Sequence, residues 1–370
     1  QITQLGAEQV AAIETADLAA VSASLVATLS TAQIDALDTA QLAGLSTRQV
    51  AALTAAQFAA IDGNELAAMG TAQYRAMSTT QMAAISATQA AALETADLAV
   101  LSTAQVRALS TEALAAVAAA NMPALTTAQV AALAIDQVQA LTADQVANLA
   151  SDDLRALTTA QVQALGTAQI EALTSTQVGH LTSAQVAALT TAQFAALGAD
   201  DQEALGTASY AALATAQIAA LSAEQAAALG TAVIAALGTA QIRELSTEAL
   251  GALGSAQVAA LGSAQVAALT TVQVAGLGAN VLQALETADL AAMGTAQVAA
   301  FSAEQLNLFS SAQLGSLTSR QVAALSTEQV AGLEAAGLAA MGTAQFAAMT
   351  TTQLAALTTD QAAALEAADV

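Results

Sequence analysis

Apolar residues recur along this chain with a period of eight. Every residue whose number is five more than a multiple of eight is apolar, from Leu5, Ile13, Val21 and Leu29 to Leu357 and Leu365, 46 anchors with no insertion or deletion between them. Three residues before each anchor lies a second apolar position, filled by Val10, Leu18, Val26, Ile34, Leu42, Val50 and Phe58, with Gln202 as its clear exception. The consensus octad is L-[S/T/G]-T-A-Q-V-A-A, as in Leu189 to Ala196.

This spacing excludes two simple structures. In one continuous helix, eight residues overshoot two turns by about 80°, so the apolar stripe would wind away from any partner. A Ser, Thr or Gly in nearly every octad would weaken that helix further. In a β-helix the apolar spacing should be two, whereas it is three and five here, and Ala and Gln dominate.

Short helices fit every position. The residue after each anchor, Thr190 for example, is mostly Ser, Thr, Asp or Gly, all suited to an N-cap. Three residues on, Gln193 completes a capping box, and Leu189 with Phe194 forms the hydrophobic staple around it. Where the cap is glycine, as at Gly166 and Gly206, the expectation is a left-handed end to the preceding helix. Each octad then reads as a helix of about two turns, with a one-residue corner.

The charges agree with this phase. Of 29 acidic residues, 25 fall on the N-cap, the second or the third helical position. The N-cap set is Glu14, Asp38, Asp62, Glu94, Glu286, Glu334 and Glu366, and the third-position set is Asp17, Glu65, Asp97, Asp153, Asp201, Asp289 and Asp369. Four of the six arginines (Arg75, Arg107, Arg155, Arg243) fall in the second half. A helix dipole favours that distribution.

A helix this short is unstable alone in water, so each must bury its Val and Leu against neighbours. The chain is therefore expected to be all-α: an α-solenoid of short helices, one per octad, with a thin interior of Leu, Val and Ala. The residue before the anchor is nearly always Ala or Gly, which assigns it to a tight contact. The number of octads per superhelical turn is open. With two, the layers would stack into a rod on the order of 200 Å. Residues 1–370 form a single continuous array, which starts and stops inside an octad without a polar capping repeat, and so reads as a window of a longer one. Pro123 falls inside a helix by the repeat phase and predicts a local kink.

Composition narrows the function. A net charge of -23 disfavours nucleic acid and anionic membrane surfaces. Although 56% of residues are hydrophobic, polar residues break every apolar run long before the roughly 20 residues a spanning helix needs, so membrane insertion is not expected. There is no Cys, which excludes disulfides and thiolate metal sites and is compatible with export. His180 is the sole His, replaces an Ala, and reads as a surface position. Asp200, Asp201 and Glu203 crowd one octad and are the candidate cation ligands, with Asp152 and Asp153 a second pair. No EF-hand spacing accompanies them, and solvated first-turn acids are the simpler account. No catalytic residues, no cofactor and no enzyme activity are expected, since there is no Cys or Lys and His180 has no identifiable Ser and Asp partners. Corner Ser and Thr are possible O-glycan acceptors.

The run Gly206-Thr207-Ala208 and units such as Thr127 to Leu133, T-A-Q-V-A-A-L, resemble the octapeptide repeat regions of very large secreted, adhesin-like bacterial surface proteins. The resemblance covers the whole chain. It implies a bacterial, extracellular or cell-surface location, and carries no catalytic or binding residues.

These observations favour a structural repeat protein: an extracellular fibre, stalk or surface filament that associates with itself or with neighbouring repeats end to end. The alternative is a solenoid binding scaffold or adhesin spacer, but its groove should cluster aromatics or Arg, and here they are scattered. An ice- or mineral-binding surface, suggested by Thr31, Thr39, Thr47, Thr71 and Thr79, is weakened by the Ala and Ser that interrupt that row.

Overall fold

In its octads the chain assigns three kinds of residue to three tasks: a Ser, Thr, Asp or Gly that starts a helix, a Val and a Leu that bury it, and Ala that lets it approach its neighbour. The computed structural model describes residues 4–365 and divides the chain into two compact units, Gln1–Leu189 and Thr190–Val370. The repeat phase is the same in both. The acids Glu366 and Asp369 lie outside the described residues.

Each octad forms one helix of only four to six residues, such as Thr47–Ala52 in the first unit and Ser263–Val266 in the second. The helices are thus shorter than the sequence pattern suggests, because the corner takes two residues rather than one. The anchor and the N-cap are both extended: Leu53 has φ −58° and ψ 136°, Thr54 φ −70° and ψ 159°. A second expectation fails at the glycines. Gly166 and Gly206 sit at φ −74° and −78°, and among the described residues no glycine has positive φ. The corner is made by two consecutive extended residues, a geometry any L-residue adopts, and this is why Ser, Thr, Asp and Gly interchange at the cap.

Within each unit, helices pack on the third one after them. Ala23–Val26 packs on Thr47–Ala52, which packs on Thr71–Ala76. In the second unit Ser263–Val266 packs on Thr287–Ala292 in the same way. A turn of the coil is therefore three octads, not two, and a given number of octads spans two-thirds of the length that two would give. Each unit is a stack of three-helix turns around a core of second-position and anchor side chains, with Val50, Leu53, Phe58 and Ile61 buried in one and Val258, Leu261, Val266 and Leu269 in the other.

The position before the anchor is the tight contact. A β-carbon added to Gly332 would lie 2.6 Å from that of Ala303, and one added to Gly276 would lie 3.2 Å from that of Thr247, in each case 29 residues back on the turn below. At these octads a side chain would force the turns apart, while elsewhere the same position takes His180, Glu244 and Leu308 toward solvent.

Pro123 changes its octad without breaking the phase. Ala119–Ala124 is a 3-10 helix instead of an α-helix, consistent with a residue that donates no amide proton. Met122 and Leu125 still occupy the two buried positions. The local effect is a rewound turn.

Candidate functional site

The most distinctive chemistry in the fold lies at the third helical position, which is most often Gln. These side chains are polar yet buried: Gln49 is 1% exposed and Gln185 2%. Burial of an amide is costly unless all its groups are bonded. The first bond is the capping box. Gln49 Oε1 accepts from the backbone N–H of Ser46 at 2.7 Å. Where the cap is glycine the return bond persists, as from Gly262 N–H to Gln265 Oε1 at 2.7 Å, and only the reciprocal side-chain bond is lost.

The remaining two protons cross to the turn below. Gln49 Nε2 donates to the carbonyls of Leu18 at 2.9 Å and Val21 at 2.8 Å. Gln185 does the same to Leu154 and Leu157, and in the second unit Gln265 to Ile234 and Leu237. The acceptors lie 31 and 28 residues earlier, at the end of a helix and at its corner. A short helix leaves its first N–H and last C=O groups orphaned. One Gln therefore satisfies the start of its own helix and the end of another, and the array carries a ladder of such amides on its coil.

Sequence reasoning found the capping half of this role and missed the inter-turn half. A signal was present. A capping box accepts Glu as readily as Gln, yet Glu65 is the only Glu at this position in the chain. Only the amide supplies protons to the carbonyls below.

Acidic residues are one class of exception at the third position, beside apolar ones such as Ala113 and Val233. Asp97, Asp153 and Asp289 are at most 5% exposed. Asp97 Oδ2 accepts from Glu94 N–H, and Asp289 Oδ1 from the Ser263 hydroxyl one turn below at 2.7 Å. Oδ2 of Asp153 and of Asp289 are buried without a hydrogen-bond partner. Burial pushes the carboxyls of Glu65 and Asp153 above the usual range and that of Asp97 up to about 6, with the charge of Glu94 adding to it and the Glu94 amide partly opposing. Burial and the nearby Asp97 also raise the Tyr74 phenol.

At the N-cap, acid length decides the outcome. Asp38 and Asp62 accept from the third-position N–H, whereas Glu14, Glu94, Glu286 and Glu334 make no side-chain cap bond. The extra methylene leaves Glu with the dipole contribution alone.

The candidate cation ligands do not converge. Asp201 is buried at the third position and accepts from Gly198 N–H, while Asp200 and Glu203 are exposed. Among the described residues no group of three His, Asp or Glu side chains is placed to hold a metal. Gln202, the polar exception among the core positions, is fully buried and bonded: its Nε2 donates to the Phe194 carbonyl at 3.1 Å and its Oε1 accepts from the Tyr210 hydroxyl at 2.6 Å. The rings of Phe194 and Tyr210 meet edge to face on the same turn. His180 is exposed, with Nδ1 2.8 Å from the Thr176 carbonyl of its own helix. Among the described residues no helix is long and apolar enough to cross a membrane.

The ladder has a sequence counterpart. A family model for the ALTTAQ repeat matches ten stretches: residues 10–47, 58–93, 90–127, 146–183, 194–231, 227–262, 250–279, 282–319, 306–335 and 330–367. The chain belongs to the ALTTAQ repeat family. Ala124 to Gln129 reads A-L-T-T-A-Q, the corner and capping box in one hexapeptide: tight-contact Ala, anchor, N-cap and bridging Gln. The ALTTAQ match follows the octad phase through both units. No curated protein matches the chain.

Proposed function

We propose that this ALTTAQ repeat chain is structural and non-catalytic, a segment of an extracellular fibre, stalk or surface filament. The observation that carries this reading is the Gln ladder. The polar side chain that recurs in the octads is consumed in joining one turn to the next, as Gln313 is to Leu282 and Leu285. Each added turn covers the apolar face and the carbonyls of the one before, so the same sequence lengthens the coil without a new fold. The depressions between turns are lined by the same octad positions, Gly294, Thr295 and Arg320 in one case and Gly198, Ala199 and Glu224 in another. A net charge of -23 on this Ala-rich surface opposes lateral collapse.

Electron microscopy of the native material, with its location in the cell recorded, tests the reading. Unbranched filaments outside the cell are expected. Compact, monodisperse particles recovered from the cytoplasm would overturn it.

A further inference from the structure

A carboxyl at the third helical position stands where other octads place the amide that joins two turns. For Glu65 the carbonyls 28 and 31 residues earlier are those of Leu37 and Ile34, and for Asp153 those of Leu125 and Met122. For Asp97 they are those of Met69 and Leu66, of which Leu66 already accepts from the Tyr74 hydroxyl at 2.9 Å, leaving Met69 as the carbonyl to be joined. An ionised carboxylate has no proton to offer them, and an unpartnered buried oxygen is what Asp153 shows. A protonated Glu is nearly isosteric with Gln and carries one donor. We propose that the octads of Glu65, Asp97 and Asp153 are acid-closed latches, in which uptake of a proton by the buried carboxyl restores a donor between turns and tightens the coil.

The surroundings support this. Glu65 faces Asp62 on its own helix, Asp38 at the cap of the helix below and Asp35 nearby, all acidic, while Ala87–Ala91 above carries no charge. Asp97 has Glu94 on its own helix; the helix below carries Arg75, whose side chain is exposed, and Tyr74, and Ala119–Ala124 above is uncharged. Asp153 has Asp152 and Arg155 on its own helix, the Thr127 hydroxyl below, and exposed His180 on the helix above. Acid neighbours also recur by sequence. Glu14 precedes Asp17, Asp62 precedes Glu65, Glu94 precedes Asp97 and Glu286 precedes Asp289, each by three residues, whereas the cap before Asp153 is Ala150 and its acidic neighbour is Asp152. Paired carboxyls favour retention of one proton.

The sign follows from the raised pKa. The folded chain binds a proton more tightly than the unfolded one, so stability is fully present below the unfolded value and is lost as pH rises through the folded value. For Asp97 the window runs from 3.8 to about 6. The folding equilibrium of its stretch should become on the order of tenfold more favourable from pH 7 to pH 5.

Thermal unfolding of the whole chain between pH 7.5 and 5 tests the latch in the unaltered protein, in the triple variant E65Q/D97Q/D153Q, and in a control, D136N/D144N/D200N, that neutralises three exposed acids. The melting temperature of the unaltered chain should rise on acidification. The triple Gln variant should melt higher at pH 7.5 and show less than half of that rise, while the control keeps it. A flat profile for the unaltered chain would overturn the proposal. So would a rise that survives in the triple variant or disappears in the control, because the response would then come from net charge.

Discussion

The side-chain amide of Gln49 donates to the carbonyl of Val21, 28 residues earlier, at 2.8 Å. Val21 ends the helix Thr15–Ala20, and Gln49 caps the start of Thr47–Ala52. One bond thus ties the start of one helix to the corner beneath it, and its repetition turns a series of helices too short to survive alone into a coil.

Replacing such a Gln by an apolar side chain of similar size should open the array locally. Gln185→Leu leaves the carbonyl of Leu157 and the N–H of Thr182 unpartnered, and takes from the Leu154 carbonyl one of its two donors, the Leu157 N–H remaining. At about 1–3 kcal/mol for each buried group left unsatisfied, the local stability should fall by several kcal/mol. Hydrogen exchange should show faster exchange at residues 154–158 and 182–186 and unchanged exchange around residue 50. Uniform protection across both stretches would remove the ladder's energetic role.

The tight contact predicts opposite outcomes for two glycines. In Gly332→Ala the new methyl meets the Ala303 β-carbon, and neither side can swing away, so the turns must part at a cost of about 1–3 kcal/mol. A β-carbon added to Gly206 would meet nothing within 4 Å, and the residue lies in extended backbone. Gly206→Ala should be neutral or stabilising by up to about 1 kcal/mol, through the unfolded chain. Denaturant midpoints of the two variants give the comparison.

Pro123 predicts a soft octad. Its 3-10 helix has poorer hydrogen-bond geometry than the α-helix Thr159–Ala164, so amides of residues 119–125 should exchange faster than those of 159–165. Pro123→Ala should bring the two to similar protection. Equal exchange in the unaltered chain would contradict this.

Much of the fold was legible because the octad is a local code. The N-cap at Thr158, the capping box to Gln161 and the burial of Val162 and Leu165 all follow from residues within eight of one another. What was not legible depends on residues 24 or more apart. The third-helix packing is set by how two extended residues, such as Leu53 and Thr54, redirect the chain, and no side-chain pattern encodes that angle. The inter-turn half of Gln49 was hidden for the same reason, since its acceptors are backbone carbonyls that carry no sequence signature. The expected left-handed glycine at Gly166 failed because glycine is used there only as a permissive cap.

The three-octad turn is tested most directly by a disulfide. The chain has no Cys, so introduced thiols have no competitors. In the coil, a β-carbon at residue 276 lies 3.2 Å from that of residue 247, close to the disulfide range of about 3.5–4.5 Å. A coil of two octads per turn would instead bring residue 247 to residue 268, one octad sooner. Thr247→Cys/Gly276→Cys and Thr247→Cys/Ala268→Cys are oxidised mildly under native conditions, and their free thiols are counted. The account predicts that the 247–276 pair closes intramolecularly and the 247–268 pair does not; closure of the 247–268 pair, with 247–276 left reduced, would contradict it.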